Sequence, residues 1–203
     1  MPSETFFRLP QEKRQRLMDA AWGEFTGTKY ADVSINKIIQ KAGIPRGSFY
    51  QYFEDKEDLF DYLLGEVKRY LLELTAPVMD SGDVFSQTMR VFDLLLEENS
   101  KPNLERCIQV FRSNPSLAPQ MFGENKDNEF LRLFLTRADR SAFRSDRPEF
   151  LEQTFHFLVS SLGCALVSSL IDPEQKQTQR NILQTRMDIV RNGCLKQIKE
   201  ETP

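Results

Sequence analysis

From Pro10 onward the apolar residues recur at helical intervals. Leu17, Ala20, Ala21 and Phe25 fall at i, i+3, i+4 and i+8, one stripe on a helix that opens near Pro10. The period breaks in TGTKYADV. It resumes after Ser34, a natural N-cap, with Ile35, Ile38, Ile39 and Ala42 lining a second, short helix. Gly43 suits the left-handed position after a helix end, Ile44 is pushed toward extended geometry by the following proline, and Pro45 opens a third helix at once. On that helix Phe49 and Phe53 point one way, Gly47 and Gln51 point nearly opposite, and Ser48 and Tyr50 lie on the flanks. Asp55, with Asp58 three residues later, has the form of a capping box for a fourth helix running through Leu59, Leu63, Val67, Tyr70 and Leu74 to Pro77.

The remainder repeats this pattern. Asp83 begins a helix bearing Val84, Met89, Val91, Leu94 and Leu95, and Pro102 opens another through Leu104, Ile108 and Phe111. SNPSLAPQMFGEN is a broken connector, after which Asp127 is placed to cap a helix with Phe130, Leu131, Phe134 and Leu135. Pro148 opens a long helix to Ile171, and Asp172, Pro173 and Glu174 start the last one, expected to reach about Lys199. No strand alternation, internal repeat or low-complexity tract interrupts the series. The fold class expected is all-α, with about nine helices.

Composition agrees with a globular helical chain. Of 203 residues, 40% are hydrophobic and 28% charged, and sixteen Phe against one Trp suggest a core or cavity lined with rings. Cys107, Cys164 and Cys194 have no CxxC spacing and read as thiols in a reducing cytosol. MPSETFFRLPQEKR has no apolar signal region, and TFHFLVSSLGCALVSSLI, with its four serines and a histidine, reads as a buried interface helix rather than a membrane span. A cytoplasmic location is expected, with no membrane partner. The net charge of −3 hides an asymmetry, because residues 8 to 53 carry eight Lys/Arg and four acids, a local +4. Local sign governs attraction to a phosphate backbone.

Two short helices joined by a glycine turn and braced by a preceding helix make a helix-turn-helix, whose second helix enters a major groove. In that frame Phe49 and Phe53 anchor the reading helix to Phe25, Ile38 and Ile39, and Gly47 lets its backbone come close to DNA. Arg46 and Gln51 are candidates for base edges. Tyr50, Tyr52 and Lys56 are candidates for phosphates, and Ser34 is a cap that also touches phosphate. Lys37, beside Asn36 on the second helix, is a further DNA-binding candidate, the next place to look if sequence is not read by Arg46 and Gln51. Several have a plainer alternative: Arg46 as a solvated charge, Lys56 paired with Glu57, and Tyr50 and Tyr52 partly in the core, Tyr52 leaning toward the Phe49 face.

At AGIPRGSFYQYFEDKEDLF, and back through RLMDAAWGEFTGTKYADVSINKIIQKAG, the chain resembles the tetracycline-repressor (TetR) family of bacterial transcriptional regulators over about residues 10 to 63. The resemblance implies an all-α homodimer in which residues 1–55 bind double-stranded, palindromic operator DNA and residues 56–203 bind a small-molecule effector and dimerise. It implies DNA contacts at Ser34, Arg46, Gly47, Ser48, Tyr50, Tyr52 and Lys56. The chain departs from the family in having Pro45 where Ser or Thr is frequent and Tyr52 where His is common.

Ser160, Cys164 and Ser168 stand four apart on the long helix and let another helix come close. Leu183, Met187, Val190 and Cys194 form a stripe on the last one. Together these are the expected dimer interface. Phe85, Met89, Phe92, Phe111, Met121, Phe122, Phe130, Phe134, Phe155 and Leu158 are candidates to line an effector pocket, and each could equally be core. The chain holds no GxSxG, P-loop, GxGxxG or metal-ligand cluster, and its single histidine, His156, sits on an apolar helix. No cofactor and no enzymatic activity are expected. The reading is a ligand-responsive DNA-binding regulator, a repressor released by an apolar or amphipathic effector; a helical interaction protein or a small-molecule enzyme on the same scaffold is the alternative.

Overall fold

Capping and proline chemistry set most of the helix starts in the computed structural model, which describes residues 1–80, 83–97, 102–117 and 129–196. Among the described residues there are ten α-helices: α1 (Glu4–Phe7), α2 (Gln11–Gly27), α3 (Ile35–Ala42), α4 (Arg46–Tyr52), α5 (Lys56–Thr75), α6 (Val84–Glu97), α7 (Pro102–Ser113), α8 (Glu129–Arg137), α9 (Pro148–Ile171) and α10 (Lys176–Cys194). Gly43 follows α3 at φ 65° and ψ 38°, the left-handed geometry that closes a helix, and its N–H returns to the Gln40 carbonyl. At α5 the Asp58 amide donates to Asp55 Oδ1 at 2.7 Å, while the Asp58 carboxylate accepts from the Glu54 amide at 3.1 Å. The expected capping box is therefore there, its return bond displaced by one residue.

The chain separates into two compact units, Met1–Leu71 with Ser100–Met121, and Leu72–Asn99 with Phe122–Pro203. They do not divide at residue 55, because α5 as far as Leu71 and all of α7 belong with the first unit. There α2 packs on α3 and α7, and α1 packs on α4. The interior is aromatic: Phe6, Phe25, Phe49, Phe53 and Phe60 are fully buried beside Leu17, Ile38, Leu59 and Leu63. In the second unit α9 lies against α10, α6 and α8, around Phe92, Leu151 and Leu183. Two of the hydroxyls buried along α9 are satisfied within the helix, Thr154 donating to the Phe150 carbonyl and Ser169 to the Ala165 carbonyl, each at 2.8 Å. Helix α9 is long and apolar enough to cross a membrane by length and composition, and 44% of its most apolar window is buried within the protein.

Three sequence expectations change. Residues 4–7 form a helix that the periodicity did not predict, since four residues carry no period. Ser34 occupies the N-cap of α3, but its side chain makes no capping bond. The last helix stops at Cys194 rather than near Lys199, because Leu195 turns extended and pairs antiparallel with Phe143. The Arg144 amide donates to the Cys194 carbonyl at 2.9 Å and the Lys196 amide to the Ala142 carbonyl at 3.0 Å. The three cysteines are free thiols; burial pushes Cys107 up to about 12 despite nearby Lys68, whereas Cys164 is exposed.

Candidate nucleic-acid interface

Helix α4 is anchored on one side and bare on the other. Phe49 and Phe53 are buried, their ring centroids 5.9 Å apart, and Phe53 stands 4.9 Å from Phe6 of α1. On the opposite side Arg46, Gly47, Tyr50 and Gln51 are exposed, and Ser48 is half-buried. A Cβ built on Gly47 would meet nothing within 4 Å. Packing within the chain thus gives no reason for glycine there. The end of α4 is closed from the N-terminal side, where the Ser3 amide donates to the Tyr52 carbonyl at 3.0 Å and the Ser3 hydroxyl to the Gln51 carbonyl. Two carbonyls orphaned by the helix end are satisfied in this way.

The candidate side chains are not equally available. Arg46 Nη1 donates to Asn36 Oδ1 at 2.7 Å across the turn, and its guanidinium lies 5.9 Å from the centre of the Tyr50 ring. Gln51 extends from the exposed face. Tyr52 is buried against Phe6, with ring centroids 6.3 Å apart, so it takes the core alternative and its ring is not presented. Lys56 Nζ donates to the carbonyls of Tyr30 and Ala31 at 3.1 Å each and lies 5.1 Å from the Tyr30 ring centre. Lys37 is exposed but stands 3.7 Å from Glu24, as does Lys41. The half-buried Ser34 donates its backbone N–H to Glu24 Oε1 at 3.3 Å.

Glu24 is the residue that sequence reasoning missed. It is 3% exposed and gathers Lys37, Lys41 and the start of α3 onto α2. The signal was present, because Glu24 falls three and four residues after Ala21 and Ala20 on the apolar stripe that Phe25 shares. Tyr30 was missed as well. Its ring stacks on Phe25 at 5.9 Å and tilts against Phe60 at 5.1 Å. Burial first, and then Glu57, Asp61 and Asp55, raise its phenol to about 12.

The other expected sites are placed as follows. Phe85, Met89, Phe92, Phe134, Phe155 and Leu158 are all buried in the second unit, and the Phe134 and Phe155 rings stand 5.4 Å apart. Phe130, in the same unit, is half-buried; Phe111 is buried in the first unit. Met121 and Phe122 lie outside the described residues. On α9, Ser160 and Cys164 are exposed and Ser168 is half-buried. On the α10 stripe, Leu183, Met187 and Val190 are buried within the chain and half-buried Cys194 sits 3.6 Å from Thr154 Oγ1. The large apolar residues that α10 leaves exposed are Ile182 and Ile189.

The model of the bacterial regulatory proteins of the tetR family matches residues 17–63, from the middle of α2 into α5. The HTH-type transcriptional regulator YdgC of Bacillus subtilis (strain 168) is 35% identical over 68 residues, which are 34% of this chain and 35% of that protein. The HTH-type transcriptional regulator AcrR of Shigella flexneri is 34% identical over 100 residues, 48% of this chain and 46% of that one. The matched stretch therefore spans between about a third and a half of these relatives. Among solved structures, a tetR-family transcription regulator from Shewanella sp. PV-4 superposes with a TM-score of 0.63 at 17% identity, covering 93% of this chain and 100% of that one. The fatty acid degradation regulator FadR from Bacillus halodurans superposes at 0.57 and 16% identity, covering 92% and 97%. The tetR-family match thus falls on residues 17–63, the stretch that carries the bare outer face of α4 and its aromatic base, while the solved structures share the all-α fold of the chain.

Proposed function

We propose that this protein is a dimeric, effector-responsive transcriptional regulator that reads a palindromic operator with α4 and is released by an apolar or amphipathic small molecule. The observation that carries the DNA reading is the division of α4 into a buried aromatic side and an exposed side of Arg46, Gly47, Tyr50 and Gln51. Arg46 and Gln51 have the donors and acceptors to read guanine and adenine edges, and Tyr50 can reach a phosphate. Two such helices on a symmetric dimer fit half-sites about 34 Å apart. A cytoplasmic location follows from that partner.

The effector reading rests on the buried cluster of Phe85, Met89, Phe92, Phe134, Phe155 and Leu158, whose chemistry suits an apolar ligand with few polar anchors. A ligand bound there acts by favouring one spacing of the two reading heads over another. Repression, rather than activation, is the mode such a release implies.

Selection of bound fragments from the source genome tests the DNA reading directly. The expected result is an inverted repeat, bound in preference to random duplex and weakened by salt. Arg46→Ala and Gln51→Ala should each cost about 1–3 kcal/mol per half-site and relax preference at one position. Equal binding of all sequences by the wild type would overturn the proposal. An amphiphile that raises the thermal midpoint and releases the operator would identify the effector class, and a bound amphiphile that leaves operator affinity unchanged would remove the coupling.

A further inference from the structure

The turn Tyr30–Asp32, between α2 and α3, is held from two directions. Asn114, just past the end of α7, accepts the Tyr30 amide on Oδ1 at 2.9 Å while its own Nδ2 donates to the Val110 carbonyl at 3.0 Å. Lys56, the first residue of α5, donates to the Tyr30 and Ala31 carbonyls at 3.1 Å each. The Tyr30 ring is gripped by Phe25, Phe60 and the Lys56 ammonium. Helix α7 is itself fixed to α2 by the Arg106 to Asp19 ion pair at 2.8 Å and by Gln109 Nε2 on the Thr26 carbonyl at 3.5 Å. The Tyr30 amide is thus held by Asn114, and its carbonyl by Lys56 together with the Val33 amide at 3.4 Å.

We propose that Asn114 and Lys56 are positioning residues for DNA reading, which together hold the Tyr30–Ala31 turn and so set where α3 and α4 stand. The inference rests on the DNA reading above and extends it to a residue more than fifty positions beyond the reading helix. Asn114 is suited to the task because one amide both closes α7 and grips the turn. A displacement of α7 therefore reaches α3 through one side chain. Two of the three Lys56 donors are spent on carbonyls, which makes its main work orientation rather than neutralising phosphate.

The test compares wild type with Asn114→Ala, Asn114→Asp and Lys56→Met. Hydrogen exchange in the absence of DNA comes first. Asn114→Ala should speed exchange of the Tyr30 amide at least about fivefold, one hydrogen bond's worth, and Asn114→Asp, which keeps the acceptor, should restore protection. Binding follows, to selected operator and to random duplex across a salt series. Asn114→Ala and Lys56→Met should each weaken operator about five- to tenfold, leave random duplex nearly unchanged and leave the salt slope unchanged. Unaltered Tyr30 exchange in Asn114→Ala overturns the joint. A salt slope reduced by about 2 per dimer in Lys56→Met makes that lysine a phosphate contact and overturns its positioning role. Operator binding that survives Asn114→Ala, with Tyr30 exchange accelerated, overturns the link to DNA. Failure of wild type to prefer any duplex defeats the proposed function, while the exchange measurement still decides whether the joint exists.

Discussion

Gly47 separates stability from function at the scale of one residue. It lies in the first turn of α4, exposed, with open space where a Cβ would stand. Gly47→Ala should leave the fold intact or stabilise it by up to about 1 kcal/mol, because alanine loses less backbone entropy on entering a helix. If the bare backbone is what approaches DNA, the same change should weaken operator binding at least about fivefold, as a lost hydrogen bond would. Thermal melts and operator titrations on one variant read both effects, and unchanged affinity would show that the glycine makes no close approach. The outward face of α4 was legible because its geometry is the complement of the Phe49 and Phe53 stripe. Tyr52 and Lys56 were harder, since a tyrosine or lysine beside a helix end can turn either way. Here Phe6 draws Tyr52 inward, and two carbonyls of a distant turn capture Lys56. Neither partner is near in sequence.

Among the elements, caps and prolines were the reliable signals and short segments the unreliable ones. Pro148 opens α9 and Gly43 closes α3 where expected, because each acts through its own backbone chemistry. Helix α1 escaped notice, yet Phe6 is fully buried with ring contacts to Phe53 at 4.9 Å and Tyr62 at 5.1 Å. Phe6→Ala should cost about 3–5 kcal/mol, measured by urea unfolding, from lost burial and the cavity left behind. Helix α6 gives a pH-dependent case. Burial raises Asp83, but the Ser86 hydroxyl and amide, Arg191 and the Phe85 amide outweigh it and hold the carboxyl below its ordinary value. A depressed folded pKa contributes stability that is present above the unfolded value of about 3.9 and is lost as pH falls through the folded value. Asp83→Ala should therefore cost about 1 kcal/mol at pH 7, the usual worth of such a cap. The gap from wild type should close as the titration is carried below pH 4, and a constant gap would show that the charge contributes nothing.

For the whole molecule, the proposed dimer raises the question of which surface a second copy would cover. Leu183, Met187 and Val190 are already buried within the chain, so the proposed dimer is better served by apolar residues of α10 that are not. Periodicity marks an apolar face but does not say what covers it, and a chain that dimerises needs two such faces per helix. The second face consists of what remains exposed. On α9 it runs through Phe157, Ser160, Cys164 and Ile171, of which Phe157 is 57% exposed; on α10 it includes Ile182 and Ile189, the latter 66% exposed. The α9 positions follow one another at intervals of three, four and seven, a single seam with two small residues between two large ones. Burying a Phe or Ile fully is worth about 1.5–3 kcal/mol, and twofold symmetry counts each residue twice. Phe157→Arg with Ile189→Arg should therefore yield monomers by sedimentation and remove tight operator binding, and Cys164→Arg should act the same way. Leu183→Ala should instead lower the unfolding midpoint by about 2–5 kcal/mol of stability and leave the dimer intact. A double arginine variant that remains dimeric would move the interface off α9 and α10, whatever its effect on DNA.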